Sequence, residues 1–252
     1  MKQIDTLILG ATALAYPLAA KGGESCLVVE QGFSAGAEFG DAMQAAHPAK
    51  PDTPLASDFA AELTERGILD EKGGLHILAV STALSGRFLS TGCGLLLGTQ
   101  TIEVKKTADG FEALLFTPAR GYETVKAARV IDTRVRPFME YEKTFAFLLA
   151  GETGLTEFDE GDVTLTKGSF DDEFILRITV GKDDSISDAH RKADGWFASN
   201  RARFGKAMIT GMALAFGYRF AAPVDAIGDN GVRYLVSASY PDVLAAVKGG
   251  EL

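Results

Sequence analysis

The chain has 252 residues, 46% hydrophobic and 23% charged, a composition that suits a folded globular protein and excludes a disordered one. Its formal net charge of -9 argues against a nucleic acid partner, because phosphate-backbone binders concentrate Lys and Arg to displace counterions. No apolar stretch approaches the ~20 residues of a membrane helix, no basic-then-apolar leader opens the chain, and Cys26 and Cys93 form no CxxC pair, so a cytoplasmic protein with no membrane partner, disulfide framework or thiolate metal site is expected.

Ile4 to Leu9 is a mostly apolar run of strand length, and Gly10 breaks it. Ala11 to Lys21 is helix-like until Gly22-Gly23 stops it, and Ser25 to Glu30 is a second buried strand. Two apolar strands with a helix between them form a βαβ unit. Pro17 is tolerable if it falls in the first turns of that helix, where N–H groups lack partners. Gln31 to Thr53 is rich in Gly, Ala and Pro and is expected to wrap over a surface or a ligand. Pro54 to Arg66 and His76 to Thr91 read as helices, and Leu95 to Leu97 as a third strand.

The pattern then changes. Thr101 to Lys105, Phe111 to Thr117 and Ala127 to Asp132 form a small antiparallel meander, with Asp109-Gly110 as a hairpin turn and the last strand returning to the main sheet. Residues 136 to 180 continue in strand style and predict a second, mostly antiparallel layer. Ser185 to Phe216 reads as the longest helix, with Trp196, Phe197, Phe204, Met208 and Met212 on its apolar face and a glycine as a possible break. Val232 to Ser237 is a strand and Pro241 to Lys248 a closing helix.

Gly10-Ala11-Thr12-Ala13-Leu14-Ala15 occupies the strand-to-helix turn where dinucleotide folds carry GxGxxG. The first glycine is kept, Thr12 stands at the second and Ala15 at the third. A helix start behind such a turn aims free N–H groups and a positive dipole end at phosphates. Glu30 ends the second strand twenty residues after Gly10, where an acidic side chain hydrogen-bonds an adenosine ribose. The competing reading is an ordinary βαβ unit that binds nothing, with Glu30 a solvated strand end.

The opening resembles FAD-dependent oxidoreductases whose phosphate loop reads GAT-x-G/A-G. The resemblance implies an α/β, FAD/NAD(P)-binding Rossmann-like fold with a β-meander and a smaller, mostly antiparallel α+β insertion. It also implies a discontinuous FAD-binding domain over 1–135 and 221–252 and a substrate or cap domain over 136–220. Under it, Gly10, Ala11, Thr12 and Ala13 face pyrophosphate, Glu30 and Gln31 the ribose, Gly36 lies in a loop along the cofactor, and Thr101 meets the adenine. Thr133 lies in the turn that nears the pyrophosphate, and Ser239 stands where a Gly-Asp pair meets the ribityl chain. Glycines of the family pattern are replaced by Ala15, Arg134 and Ala238; Arg134 would offer a cation beside the pyrophosphate instead. A dehydrogenase of the short-chain type is disfavoured, because a meander, rather than further alternating strands and helices, follows the third strand.

The resemblance implies FAD as cofactor and hydride or electron transfer with a small organic substrate. The alternative is a degenerate flavoprotein fold serving as a non-catalytic binding or partner subunit, and either a partner chain or a homo-oligomer fits. No acid or base identifies itself. His47, His76 and His190 are scattered, and no HxH or HxxxH spacing suggests a metal. Asp171-Asp172-Glu173 reads as a solvated turn rather than a cation site, Trp196 and Phe197 as helical core rather than pocket lining, and both cysteines as packing thiols.

Overall fold

The computed structural model describes residues 2–44, 47–48 and 50–252. Three residues of the expected 31–53 wrapping segment, Ala45, Ala46 and Ala49, lie outside the described residues.

Fourteen strands and five α-helices follow in chain order among the described residues: β1 (Lys2–Leu9), α1 (Ala15–Gly22), β2 (Cys26–Val29), α2 (Pro54–Glu65), α3 (Ile77–Ser90), β3 (Gly94–Leu96), β4 (Gln100–Thr107), β5 (Gly110–Thr117), β6 (Gly121–Asp132), β7 (Glu142–Ala150), β8 (Phe158–Asp159), β9 (Val163–Lys167), β10 (Phe174–Val180), α4 (Ile186–Ser199), β11 (Met208–Met212), β12 (Gly217–Arg219), β13 (Asp225–Ile227), β14 (Arg233–Leu235) and α5 (Val243–Glu251).

The first sheet runs β13-β14-β6-β1-β2-β3, and its central pairs β14/β6, β6/β1, β1/β2 and β2/β3 are all parallel. Parallel strands need both faces covered, and the alternation of β1 and β2 shows how this is done. Ile8 and Val28 face a helical layer with Leu14, Phe59 and Phe88. Leu7, Leu9, Leu27 and Val29 face the antiparallel meander β4-β5-β6 through Phe111, Ala113 and Leu115. Burying a leucine or valine in this way stabilises the fold by about 1.5–3 kcal/mol per side chain. Pro17 is the third residue of α1, where its missing N–H leaves no intrahelical bond unmade. In α2 the proline stands at the first helical position, and Phe59 and Leu63 turn inward. The α/β fold expected from the sequence is the one observed.

The second sheet is antiparallel, β11-β7-β10-β9-β8, with β12 also pairing β7. Helix α4 covers one face with Ala189, Ala193 and Phe197, and His190 meets Phe147 of β7 edge-on at 5.7 Å. Here one expectation is corrected: 185–216 is not a single helix. α4 starts on a capping box between Ser185 and Asp188 and stops at Ser199. Gly205, at φ 52°, turns the chain into β11, which adds to the edge of β7. Trp196 and Phe197 do pack with Phe204. Met208 and Met212 are exposed strand residues, so their four-residue spacing was coincidental with a helical stripe. β13 and β14 then return the chain to the first sheet, and α5 closes it against α1 and α2.

Candidate functional site

The turn between β1 and α1 sits where β1, β2 and β6 end together. Gly10 holds φ 102°, and a Cβ there would lie 2.7 Å from both Thr133 Oγ1 and Arg134 Cγ. The glycine is thus required by close approach of the chain that leaves β6, as well as by its dihedral. Thr12 Oγ1 donates to Thr133 Oγ1 at 2.9 Å, and Thr133 Oγ1 donates to the carbonyls of Leu9 and Gly10.

Four N–H groups of the turn and the helix start are answered within the protein. Ala11 N donates to Glu30 Oε2 at 3.0 Å, Ala13 N to Glu38 Oε1 at 2.8 Å, Leu14 N to Ser237 Oγ at 3.3 Å, and Ala15 N to Thr12. Glu38 comes from the glycine-rich segment after β2. That segment is pinned back on the turn by Gly36 N donating to Ala11 O at 2.8 Å, with Leu84 packed on Gly36 so closely that a Cβ would meet it at 2.8 Å. Ser237 Oγ donates to Glu38 Oε1 at 2.7 Å. Burial pushes the Glu38 carboxyl up to about 7 in spite of these bonds.

Glu30 follows directly on β2, and its second oxygen accepts from Gly32 N at 2.7 Å. Gln31 is exposed beside it. Thr101 lies in β4 opposite Leu115, next to a register shift, and its hydroxyl is buried without a hydrogen-bond partner. Ser239 Oγ donates to Val236 O in its own turn and accepts from Val224 N, fifteen residues earlier. The structure therefore brings Gly10, Ala11, Thr12, Ala13, Glu30, Gly36 and Thr133 into one hydrogen-bonded unit. Gln31, Thr101 and Ser239 make no side-chain bond to it.

Sequence reasoning missed Glu38, Ser237 and Asp132. Asp132 is buried and holds Arg134 at 2.9 Å through its Nε, and Arg136 at 2.7 Å through its Nε. Asp132 is thus shared by two guanidinium groups, and the cluster keeps one positive charge. The alternation of Asp132, Arg134 and Arg136 along an extended segment carries that signal. Glu38 meets partners 25 and 199 residues away and carries none.

Ala11, Ala13 and Leu14 are at most 1% exposed and Ser237 is fully buried, so in this packing these three N–H groups are not open to a pyrophosphate. The acceptor at the helix start is supplied from within, by Glu38. Of the remaining candidates, Cys26 is buried with its thiol pushed up to about 12 by burial, and no cluster of three metal-ligating side chains occurs among the described residues.

No family model matches this sequence, and no curated protein matches it. Solved structures do match in three dimensions. An L-amino acid deaminase from Proteus myxofaciens in complex with anthranilate superposes with a TM-score of 0.63 at 10% identity, over 100% of this chain and 89% of that one. The chain has the fold of the FAD-dependent oxidoreductases. A geranylgeranyl bacteriochlorophyll reductase-like protein from Thermoplasma acidophilum gives 0.61 at 10%, over 100% and 77%. Aklavinone-11 hydroxylase, in a ternary complex with FAD and aklavinone, gives 0.56 at 12% identity; the match covers 99% of this chain but 60% of the hydroxylase. Among the described residues no helix is long and apolar enough to cross a membrane.

Proposed function

We propose that this chain is a flavin-free form of the FAD-oxidoreductase fold, acting as a binding or partner subunit rather than as a redox enzyme. The observation that carries the reading is Glu38, which bonds the helix-start N–H of Ala13 and the hydroxyl of Ser237. The carboxyl of Glu38 takes up the Ala13 N–H that a diphosphate would need, and in its ionised form, above about pH 7, it would also repel one.

A second reading, an FAD-dependent oxidoreductase exchanging hydride or electrons with a small organic substrate, is favoured by Glu30, whose carboxylate is placed at the end of β2 where a ribose would be held. The visible spectrum separates the two. The purified protein is expected to be colourless and to show no quenching of added FAD fluorescence on titration. Absorbance near 450 nm amounting to about one flavin per chain would overturn the flavin-free reading.

A further inference from the structure

Cys26 opens β2, and Cys93 is the residue immediately before β3. The parallel register of these strands pairs Leu27 with Gly94, Val28 with Leu95 and Val29 with Leu96, so one step back along both strands Cys26 stands beside Cys93. Side chains alternate between the faces of a sheet, and both cysteines fall on the helical face: Cys26 and Val28 belong to its core, and Cys93 and Leu95 pack against that core. The end of α1 closes over Cys26, where a Cβ on Gly22 would lie 2.6 Å from Cys26 Cβ. Cys26 is buried and Cys93 half-buried, and both thiols are free.

Adjacent strands lie about 4.8 Å apart, within the Cα separation of roughly 4.4–6.8 Å that a disulfide spans. The two Cβ atoms must close to about 3.8 Å, and the chain can give at Cys93, which stands between Gly92, at φ 74°, and Gly94. Its N–H donates to Thr91 Oγ1 at 3.2 Å, which keeps it turned onto the end of β2 rather than trailing from the loop. Burial, followed by the charge that Cys93 would carry, holds Cys26 up at about 12, and burial raises Cys93 as well. The influence of one sulfur on the other is a second mark of their closeness. Both stay protonated at neutral pH, and the half-buried Cys93 is the one that a small reagent reaches first.

We propose that Cys26 and Cys93 are a redox pair whose disulfide staples β3 to β2, with a hydroperoxide as oxidant. β3 is a three-residue strand at the edge of the first sheet, so a covalent bond there adds to a short ladder. In the first step the Cys93 sulfur attacks the peroxide: an S–O bond forms, the O–O bond breaks, and the thiol proton leaves with the departing oxygen as water or an alcohol. The Cys26 sulfur then attacks the sulfenic sulfur on Cys93. An S–S bond forms as the S–O bond breaks, and the Cys26 proton leaves with that oxygen as water. The thiols lose two electrons and the peroxide gains them; a small dithiol reverses the bond by exchange. The pair sits where β2 begins, whereas the Gly10 turn lies where β1 and β2 end, so the assignment stands whichever way the flavin test falls.

The test is to reduce the purified protein, remove the reductant, treat it overnight with a few equivalents of hydrogen peroxide, block the remaining thiols under denaturing conditions and digest without reduction. A monomer about 2 Da lighter is expected, with the Cys26 and Cys93 peptides joined and separated again by dithiothreitol. Closing a long loop in the unfolded chain should raise Tm by about 10 °C over the reduced protein. Cys26→Ser is expected to retain oxygen on Cys93 and to lose the rise. Oxygen on wild-type Cys93 with Cys26 still free, a dimer joined through Cys93, or two free thiols after peroxide would overturn the pair. A joined chain that melts with the reduced one would overturn the staple. Should Cys26→Ser fail to fold, the wild-type peptide map decides alone.

Discussion

The Gly10 turn on the first sheet and the Arg177 face on the second treat charge in opposite ways. At the turn, the chain itself answers the N–H groups of the helix start: Ala13 N donates to Glu38 and Leu14 N to Ser237, which in turn donates to Glu38. The same habit recurs elsewhere: Glu251 caps the start of α2 through Leu55 N and Ala56 N, and Asp242 caps α5 through Ala245 N. At Arg177 of β10, whose guanidinium has no carboxylate partner among the described residues, the chain supplies only the backbone carbonyl of Met43. Internal saturation makes a rigid closed unit, whereas an unanswered buried charge costs free energy.

The sharpest way to break the comparison is Gly10→Ala. If the space over the turn is filled by Thr133 and Arg134, as the 2.7 Å approaches require, the methyl group has nowhere to go and the backbone is strained as well. We expect a loss of about 3 kcal/mol, read as a fall in Tm of about 10 °C. A variant melting with the wild type would mean that the turn is open above Gly10, and the contrast between the two regions would lose its basis.

A smaller effect is expected from Glu38→Gln, and its sign depends on pH. The folded-state pKa of Glu38 is raised to about 7 from an ordinary 4.5, so between those values the native state holds a proton that the unfolded state has released. Stability from this group therefore falls as pH rises through that window and stays low above it. Glutamine keeps an acceptor for Ala13 N and removes the ionisation. Relative to wild type, Glu38→Gln should be near neutral at pH 4.5 and stabilising at pH 8, by on the order of 2 kcal/mol. Urea melts at both pH values check it; a difference that does not change with pH would show that the carboxyl is solvated and not seated on the helix start.

Much of the first sheet was legible because its signals are local. Apolar runs, Gly10, Gly22-Gly23 and Asp109-Gly110 punctuate strands whose order then follows from parallel pairing. The stretch from Ser199 to Arg219 was not, because β11 exists through its pairing with β7, some sixty residues earlier, and Met208 and Met212 mimic a helical period. The candidate site divides the same way. Gly10 and Glu30 could be placed from spacing alone, whereas the partners that close the turn, Glu38 and Ser237, are brought together only by the fold. Arg177 offered no pattern in the sequence, since what distinguishes it is the carboxylate missing from its surroundings.

The smallest expected effect concerns Thr101, where saturation fails inside the first region. Its hydroxyl is buried and unpartnered, at the strand position that the resemblance assigns to adenine contact. If the hydroxyl answers nothing, Thr101→Val removes an unmet polar group at nearly constant volume, and the protein should be unchanged or stabilised by about 0.5–1 kcal/mol in urea melts. The bulged register between Thr101 and Glu103 places that residue beside the sheet edge, so the substitution also tests whether the orphan is a scar or a working group. A loss of more than about 1 kcal/mol would mean that a partner, bound water or small molecule meets the hydroxyl in solution. In that case the first region would share the incompleteness of the second, and the contrast would narrow to the Gly10 turn alone.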